Sequence, residues 1–276
     1  MMQIFKLPNR QRGLSLLEML VAMVIGLFIT VGIASIYVGN KRSSITTNEY
    51  TVLQDNGRAV LEMLTEVIQH TGYKSTSVSP NNNAFITSPV AVSSCNDGSE
   101  NVVDTSVFSA IQNNTALGDT VGISFVGDSR LSRDCGRNDL PTECQLSSGA
   151  PSDAARIYNY FTVRRAASGV PVLVCGGSRS NGFQELSEGV ENLQLTYGED
   201  QDSNGVADRY VNSDNVSDWG RVVSVSVAVL VRSSREVLKT AEPRRYQLSD
   251  DAVIATNDKY MRGVFKTTIR LRNMLL

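Results

Sequence analysis

The feature that most constrains this chain is an apolar run of 25 residues from Leu14 to Val38, which a single carboxylate, Glu18, interrupts. A run of this length can cross a bilayer as a helix. The residues before it carry three basic side chains and no acidic one, which predicts that they stay in the cytoplasm while the rest of the chain is exported. A secretory signal peptide would be cleaved after its apolar segment, whereas the candidate cleavage point here, Gly13, precedes it.

The helical pattern continues beyond the apolar run. Over residues 52–68 apolar side chains recur at the spacing of one helix face, and Gly72 stands where a C-terminal cap would lie. We therefore predict one long helix over 14–72, of which 14–38 spans the membrane. An interruption, if the helix has one, is expected at Gly39 or in the "NKRSS" stretch that follows it.

The remainder of the chain, 73–276, is predicted to form a β-rich globular domain outside the cytoplasm. Segments beginning at Arg221 and Val264 alternate apolar and polar residues, as strands with one buried and one solvated face do. Further strands are predicted to begin at Thr120, Arg156, Val170 and Glu191. The predicted fold class is therefore α+β, with the long N-terminal helix packed on an antiparallel β-sheet.

Composition and motifs favour neither catalysis nor nucleic-acid binding. The net charge is −2, so the basic surface typical of a nucleic-acid-binding protein is not expected. The single histidine, His70, is distant in sequence from every cysteine, and no serine-hydrolase, zinc-protease or phosphate-loop motif occurs. We predict a protein that is not an enzyme and does not bind nucleic acid directly.

Four cysteines in an exported domain predict disulfide bonds. None of them forms a C-x-x-C pair, so zinc spacing is absent. Three pairings are open, and a bond that closes the short polar loop between Cys135 and Cys144 is slightly preferred, which would leave Cys95 to pair with Cys175.

The stretch "DQDSNGVAD" resembles a calcium-binding loop in its spacing. Oxygen ligands fall at positions one, three, five, seven and nine, with Gly205 at the sharp turn; these candidate ligands are Asp200, Asp202, Asn204, the carbonyl of Val206, and Asp208. Position twelve is Val211 where an EF-hand has glutamate, and Asp214 is a candidate substitute. The alternative interpretation is a hairpin turn, because Asp, Asn and Gly are common turn residues.

The N-terminal motif resembles a known signal. "RGLSLLEMLVAMVIG" is similar to the class III signal of type IV prepilins and pseudopilins. The resemblance implies that a prepilin peptidase removes the leader, 1–13, by cutting between Gly13 and Leu14, and that the new amino terminus of Leu14 is N-methylated. It also implies that Glu18 pairs with the amino terminus of the adjacent subunit during assembly, which would neutralise two charges that are costly alone in an apolar setting.

Small residues follow Glu18 at four-residue steps, namely Ala22, Gly26, Thr30 and Ala34. Such a ridge lets helices approach one another closely, so these positions are candidates for helix packing. The alternative is the general abundance of small residues in membrane helices.

The C-terminal region narrows the resemblance. The segments "EGVENLQLTYGEDQDSNGVADRYV", "WGRVVSVSVAVLVRS" and "MRGVFKTTIRLRN" resemble the PilW-like minor pilins. This implies a type IV pilin-like fold and a minor pilin that primes pilus assembly and lies in the tip complex, supporting adhesion, twitching motility or DNA uptake.

The same resemblance implies partners and a location. The partners would be other minor pilins, the major pilin, the inner-membrane assembly platform and a tip adhesin. The chain would cross the bacterial inner membrane once, with a periplasmic C-terminal domain, and then enter the pilus. Two alternatives stay open: a minor pseudopilin of a type II secretion system, and a membrane-anchored adhesin that depends on calcium.

Overall fold

The structure is a computed structural model that describes residues 15–74, 84–87, 111–113, 118–145, 155–178, 182–249 and 252–274. The chain forms two compact units, of which the first ends at Asn48 and the second begins at Glu49. The leader and the proposed cleavage site, Gly13 and Leu14, lie outside the described residues.

The N-terminal helix, α1, runs over Leu16–Ile68, inside the range that the sequence predicts. It is continuous through Gly39 and the residues after it, so the possible interruption does not occur. Between Leu16 and Val38 its large apolar side chains are 47–82% exposed. This part of α1 is long and apolar enough to cross a membrane.

In the second unit α1 buries one stripe of side chains. The stripe repeats every three or four residues, as one face of a helix does, and consists of Glu49, Leu53, Gly57, Val60, Leu64 and Ile68. Gly57 is required for a close approach, because a side chain at this position would collide with the Phe265 ring.

The second unit, called the body from here on, contains ten strands among the described residues. They are β1 (Val121–Val126), β2 (Arg156–Arg165), β3 (Pro171–Gly177), β4 (Phe183–Glu188), β5 (Val190–Glu199), β6 (Arg209–Val211), β7 (Val222–Glu236), β8 (Glu242–Gln247), β9 (Val253–Asp258) and β10 (Tyr260–Arg270). One antiparallel sheet has the order β1-β2-β3-β4 and a second has the order β10-β7-β5-β6. Strands β8 and β9 form a separate two-stranded hairpin.

A single core joins α1 to both four-stranded sheets. The C-terminal part of this stripe, Val60, Leu64 and Ile68, packs with side chains from β1, β2, β3, β5 and β7. These strand residues include Ile123, Phe161, Leu173, Leu195 and Val227. Each of these side chains is at most 2% exposed. Burial of this continuous apolar surface is the main stabilising contribution to the body. The packing of one long helix on antiparallel sheets confirms the predicted α+β class.

Strand β7 differs from its prediction, because both of its faces are buried. The valines of one face belong to the central core, as the alternation predicts. On the face predicted to be wet, Ala228 and Leu230 are buried against Leu248 and Ala252 in the β8–β9 region. The hairpin therefore takes the place of solvent over this face, and Ala228 and Leu230 are the apolar residues of β7 that it covers.

A buried carboxylate attaches α1 to the end of β7. Glu49 is 2% exposed, and its Oε2 accepts hydrogen bonds from the backbone N–H and the hydroxyl of Ser234 at 3.2 and 2.9 Å. Its Oε1 lies 2.7 Å from Nε of Arg235. Because a buried charge is tolerated only when it is paired and hydrogen-bonded, Glu49 fixes the register between this turn of α1 and β7.

Candidate functional site

The first turn of α1 is capped reciprocally by Ser15 and Glu18. The Ser15 hydroxyl accepts a hydrogen bond from the Leu17 N–H at 3.3 Å, and Glu18 Oε2 accepts one from the Ser15 N–H at 3.0 Å. This arrangement satisfies two backbone donors that a helix start otherwise leaves open. Glu18 is thus held one turn into the helix, close in sequence to the amino terminus that cleavage after Gly13 would create.

The candidate packing residues lie on the exposed part of α1. Ala22, Gly26, Thr30 and Ala34 are all exposed within the chain. A side chain built at Gly26 would meet no atom within 4 Å, and the Thr30 hydroxyl donates to the Gly26 carbonyl at 2.7 Å. Because the hydroxyl is satisfied inside its own helix, this surface stays available for close contact with another helix.

The acidic loop connects β5 to β6 and curls around the Asp200 carboxylate. Asp200 Oδ1 accepts a hydrogen bond from the Asn204 N–H at 3.1 Å, and Oδ2 accepts one from the Gly205 N–H at 2.7 Å. Ser203 and Gly205 both have positive φ, 62° and 82°, which turns successive N–H groups toward Asp200. Burial alone would raise the pKa of Asp200, but these backbone hydrogen bonds hold it below its usual value.

Three of the predicted ligands come together in this loop. Carboxylate oxygens of Asp200, Asp202 and Asp208 lie within 4.8 Å of one another. The Asn204 amide is held beside them, since its Nδ2 donates to Asp202 Oδ2 at 2.9 Å and its Oδ1 accepts from the Val206 N–H at 2.8 Å.

The candidate substitute for position twelve lies elsewhere. Asp214 does not belong to the carboxylate group, and its Oδ2 accepts a hydrogen bond from Asn113 at 3.2 Å. Val211, which occupies position twelve, pairs with Tyr197 across β5 and β6. The loop therefore offers three carboxylates on one side and lacks the bidentate ligand of a complete EF-hand.

Two family models match this chain at its two ends. Residues 8–34 match the prokaryotic N-terminal methylation motif, and residues 160–273 match PilW, described as type IV pilus-assembly protein W. The C-terminal part of the chain is similar to the PilW family. Its structure is similar to that of a type IV-like pilin from Thermus thermophilus, with a TM-score of 0.40 and 14% identity over 84% of this chain and 98% of that chain. No protein of curated function matches the chain.

The two matches cover different parts of the chain. The methylation motif contains Gly13, Leu14 and Glu18, and it confirms the predicted prepilin signal. The PilW match begins within β2 and extends through β10, so it includes the acidic loop. Membrane anchoring and association with the pilus follow from the prepilin signal and from the exposed apolar helix. The family is one of structural subunits rather than of enzymes.

The preferred disulfide pairing is wrong. Cys135 is bonded to Cys175 of β3, with the two Cα atoms 6.2 Å apart. Cys144 is also disulfide-bonded, but it belongs to a separate apolar cluster with Phe125 and Ile157. Nine residues of separation suggested a small loop, whereas the fold places the two cysteines in different parts of the core. Cys95 lies outside the described residues.

Glu199, the residue next to the acidic loop, belongs to no motif and is not among the predicted site residues. Glu199 is 1% exposed; its Oε1 accepts from the backbone N–H and hydroxyl of Ser217, both at 2.7 Å, and from the Asp218 N–H at 3.1 Å. Its Oε2 lies 2.6 Å from Arg209 Nη2. Burial raises the pKa of Glu199, but the hydrogen bonds from Ser217, Asp218 and Arg209 outweigh it and lower the pKa from 4.5 to about 2. Glu199 and Arg209 are register partners across β5 and β6.

Proposed function

We propose that this chain is a minor pilin that helps to prime type IV pilus assembly and remains in the complex at the pilus tip. Adhesion, twitching motility or DNA uptake would be properties of the assembled filament. The chain itself would act as a structural subunit without catalysis.

The observation that supports this proposal is the exposed apolar half of α1. From Leu16 to Val38 the helix presents apolar side chains on all sides, and its best membrane-spanning window has no buried residue. Such a helix needs lipid around it before assembly and other helices around it afterwards. In the assembled filament the ridge of small residues would let neighbouring helices approach closely. Glu18 would supply the negative charge that pairs with the amino terminus of the adjacent subunit.

The proposed partners follow from these two environments. In the inner membrane the chain would meet the prepilin peptidase and the assembly platform, with its body in the periplasm. In the filament it would contact other minor pilins, the major pilin and a tip adhesin. A minor pseudopilin of a type II secretion system has the same N-terminal signal, but the PilW match at 160–273 favours the pilus.

Processing is the first test of this proposal. Replacing Gly13 with leucine should abolish cleavage, because the peptidase must fit a small side chain before the scissile bond. Intact-mass and N-terminal peptide mass spectrometry of the membrane fraction should show a wild-type chain that begins at N-methylated Leu14. The Gly13→Leu variant should keep its leader and should be lost from sheared pili.

A second glycine provides the control for processing. Gly32 lies on the exposed part of α1 with open space around it, so Gly32→Leu should be cleaved normally. A native N-terminus at Met1 or Met2 in the wild-type protein would contradict the proposed processing.

We also propose that the loop over 200–208 binds calcium. Three carboxylates that lie within 4.8 Å of one another repel each other, and a divalent cation would relieve that repulsion. Oxygen ligands from carboxylate, amide and carbonyl groups suit calcium. The site would be weak, since no glutamate occupies position twelve. A calcium-dependent adhesive role depends on this site.

The calcium proposal predicts a calcium-dependent melting temperature. The full-length protein should melt at a higher temperature in millimolar calcium than in EGTA, because a ligand that binds only the folded state stabilises it by mass action. Asp202→Ala should remove this difference by removing one carboxylate ligand. Asp214→Ala, outside the carboxylate group, should retain it. Identical melting temperatures of the wild-type protein in millimolar calcium and in EGTA would mean that the loop is a turn that does not bind calcium.

A further inference from the structure

A cavity of about 560 Å³ lies at the start of β5, whereas the acidic loop follows the end of the same strand. Its lining comes from the end of β2, the start of β3 and parts of β9 and β10. This volume lies in the usual range of small-ligand pockets, roughly 300 to 1,000 Å³. The cavity therefore has room for a small molecule or for one group of a larger one.

Two carboxylates beside the cavity are paired with arginines. Arg262, whose side chain is 4% exposed, donates to Glu191 from Nε at 2.5 Å and to Asp258 from Nη1 at 2.7 Å. Arg232 Nη1 also donates to Glu191, at 3.4 Å. The charges of these two arginines and two carboxylates cancel, so Glu191 is not available to neutralise another cation at the cavity.

Two further arginines at the cavity have no such partner. Arg164 and Arg165 end β2, and both are exposed where they line the cavity. Within the described part of the chain, Arg164 stacks on the Phe183 ring and Arg165 donates to a backbone carbonyl, and neither forms an ion pair with a carboxylate. The cavity therefore carries an excess of two positive charges on side chains that a ligand can reach.

Both guanidinium groups are held in position. The Cζ atom of Arg164 lies 3.6 Å from the centroid of the Phe183 ring, so stacking uses the face of the guanidinium and leaves its N–H edge available. Arg165 Nη1 donates to the Gly169 carbonyl at 3.2 Å, which leaves its other N–H groups available. Guanidinium groups with free N–H edges match the oxygens of a phosphate.

Strand β9 adds a hydroxyl and an apolar side chain to the same cavity. Thr256 and Ile254 are both half-buried, and the Thr256 hydroxyl can donate a hydrogen bond to an anion. Ile254 lines the cavity together with Val163 and the buried Pro171. These apolar side chains exclude water from part of the cavity, which strengthens the attraction between opposite charges.

We propose that this cavity binds a phosphate group, which accepts hydrogen bonds from the guanidinium groups of Arg164 and Arg165 and from the Thr256 hydroxyl. A phosphate monoester carries about −1.5 to −2 charges at neutral pH, which matches the excess of two positive charges, whereas one carboxylate would leave an arginine unpaired. Two sources carry such a group, namely inorganic phosphate and the phosphomonoester headgroup of a lipid. The site goes beyond the proposed assembly function and uses neither Glu18 nor the acidic loop.

Equilibrium dialysis with radiolabelled inorganic phosphate tests the site directly. The full-length protein in a maltoside detergent, at constant ionic strength, should bind one phosphate per chain saturably at millimolar concentration. Arg164→Gln and Arg165→Gln should each weaken binding by about tenfold, the value of a hydrogen bond to a charged group. Arg58→Gln removes the same charge from an exposed position on α1 outside the cavity and should bind phosphate as the wild-type protein does.

A matched pair of variants on β9 tests the cavity independently of the two arginines. Thr256→Glu places a negative charge in the lining and should abolish phosphate binding by repulsion. Thr256→Gln introduces a side chain of the same size without the charge and should retain binding. Equal melting temperatures of the two variants, followed by Trp219 fluorescence, would show that both are folded.

Native mass spectrometry distinguishes the two sources of phosphate. If a lipid headgroup fills the cavity, the wild-type protein and Thr256→Gln should retain added phosphatidic acid but not phosphatidylcholine, and Thr256→Glu should retain neither. Phosphate binding in dialysis without a phosphatidic acid adduct would support the same site with inorganic phosphate as its ligand.

Two outcomes would overturn the proposal. If the wild-type protein shows no saturable binding at tens of millimolar phosphate, Arg164 and Arg165 are solvated surface charges and the cavity holds only solvent. If the two arginine variants and Thr256→Glu all bind phosphate as tightly as the wild-type protein, the phosphate binds elsewhere and the assigned site is wrong.

Discussion

The Glu18→Ala variant should be processed normally and yet be depleted from sheared pili by about tenfold or more. Cleavage should persist because the bond between Gly13 and Leu14 is unchanged. Incorporation should fall because the ammonium of Leu14 would enter an apolar environment without a carboxylate partner. Breaking such a buried pair costs about 3–5 kcal/mol, and each 1.4 kcal/mol is about a factor of ten in an equilibrium constant. Immunoblots of the sheared and membrane fractions would measure the ratio.

Two controls isolate the charge of Glu18 from its effect on the helix. Glu18→Gln retains an oxygen that can accept from the Ser15 N–H, so it should preserve the cap and still lower incorporation. Glu62→Ala removes an exposed carboxylate from the same helix and should leave incorporation unchanged. Wild-type levels of the Glu18→Ala variant in sheared pili would contradict the pairing role.

Local patterns predicted the elements that carry the fold. The apolar run and the three-and-four spacing that follows it predicted α1 within a few residues of Leu16–Ile68. Runs of β-forming residues located β2 and β3, and strict alternation located β7. In these segments local preference and tertiary packing agree, which is the condition under which sequence reasoning works.

The elements that were missed have weak local patterns. Strand β4 is mostly exposed and polar, and β6 has only three residues. Strands β8 and β9 alternate between exposed and half-buried side chains without a strong apolar face. Their positions depend on pairing with neighbours and on covering β7, so they follow from tertiary structure rather than from their own sequences.

The candidate sites were predictable to the extent that their residues are contiguous. The N-terminal motif and the ligands of the acidic loop lie within short segments, and spacing alone identified them. Cys175 lies on β3 and Glu199 on β5, and their partners stand up to forty positions away in the sequence. Such groups meet only through strand register, which a single sequence does not specify.

Glu199 should make the free energy of unfolding of the body depend on pH in the acidic range. Its pKa is about 2 in the folded protein and 4.5 ordinarily, so the unfolded chain binds the proton more tightly than the folded one. The stabilising contribution is therefore fully present above pH 4.5, and it is lost as the pH falls toward 2. At about 1.4 kcal/mol for each pKa unit, the contribution is roughly 3 kcal/mol.

The Glu199→Gln variant should accordingly be less stable than the wild-type protein by roughly 3 kcal/mol at neutral pH, with the difference shrinking toward zero near pH 2. Glutamine retains the shape and one acceptor, so the loss comes from the charge that Arg209 and the N–H groups of Ser217 and Asp218 stabilise. Urea unfolding followed by Trp219 fluorescence at several pH values would measure this difference in stability. Trp219 reports on the region because it contacts Tyr197, which lies on β5 together with Glu199. Glu62→Gln, which removes an exposed carboxylate, should show no such convergence. A constant difference between Glu199→Gln and the wild-type protein from neutral pH down to pH 2 would mean that the carboxylate acts through packing and not through its charge.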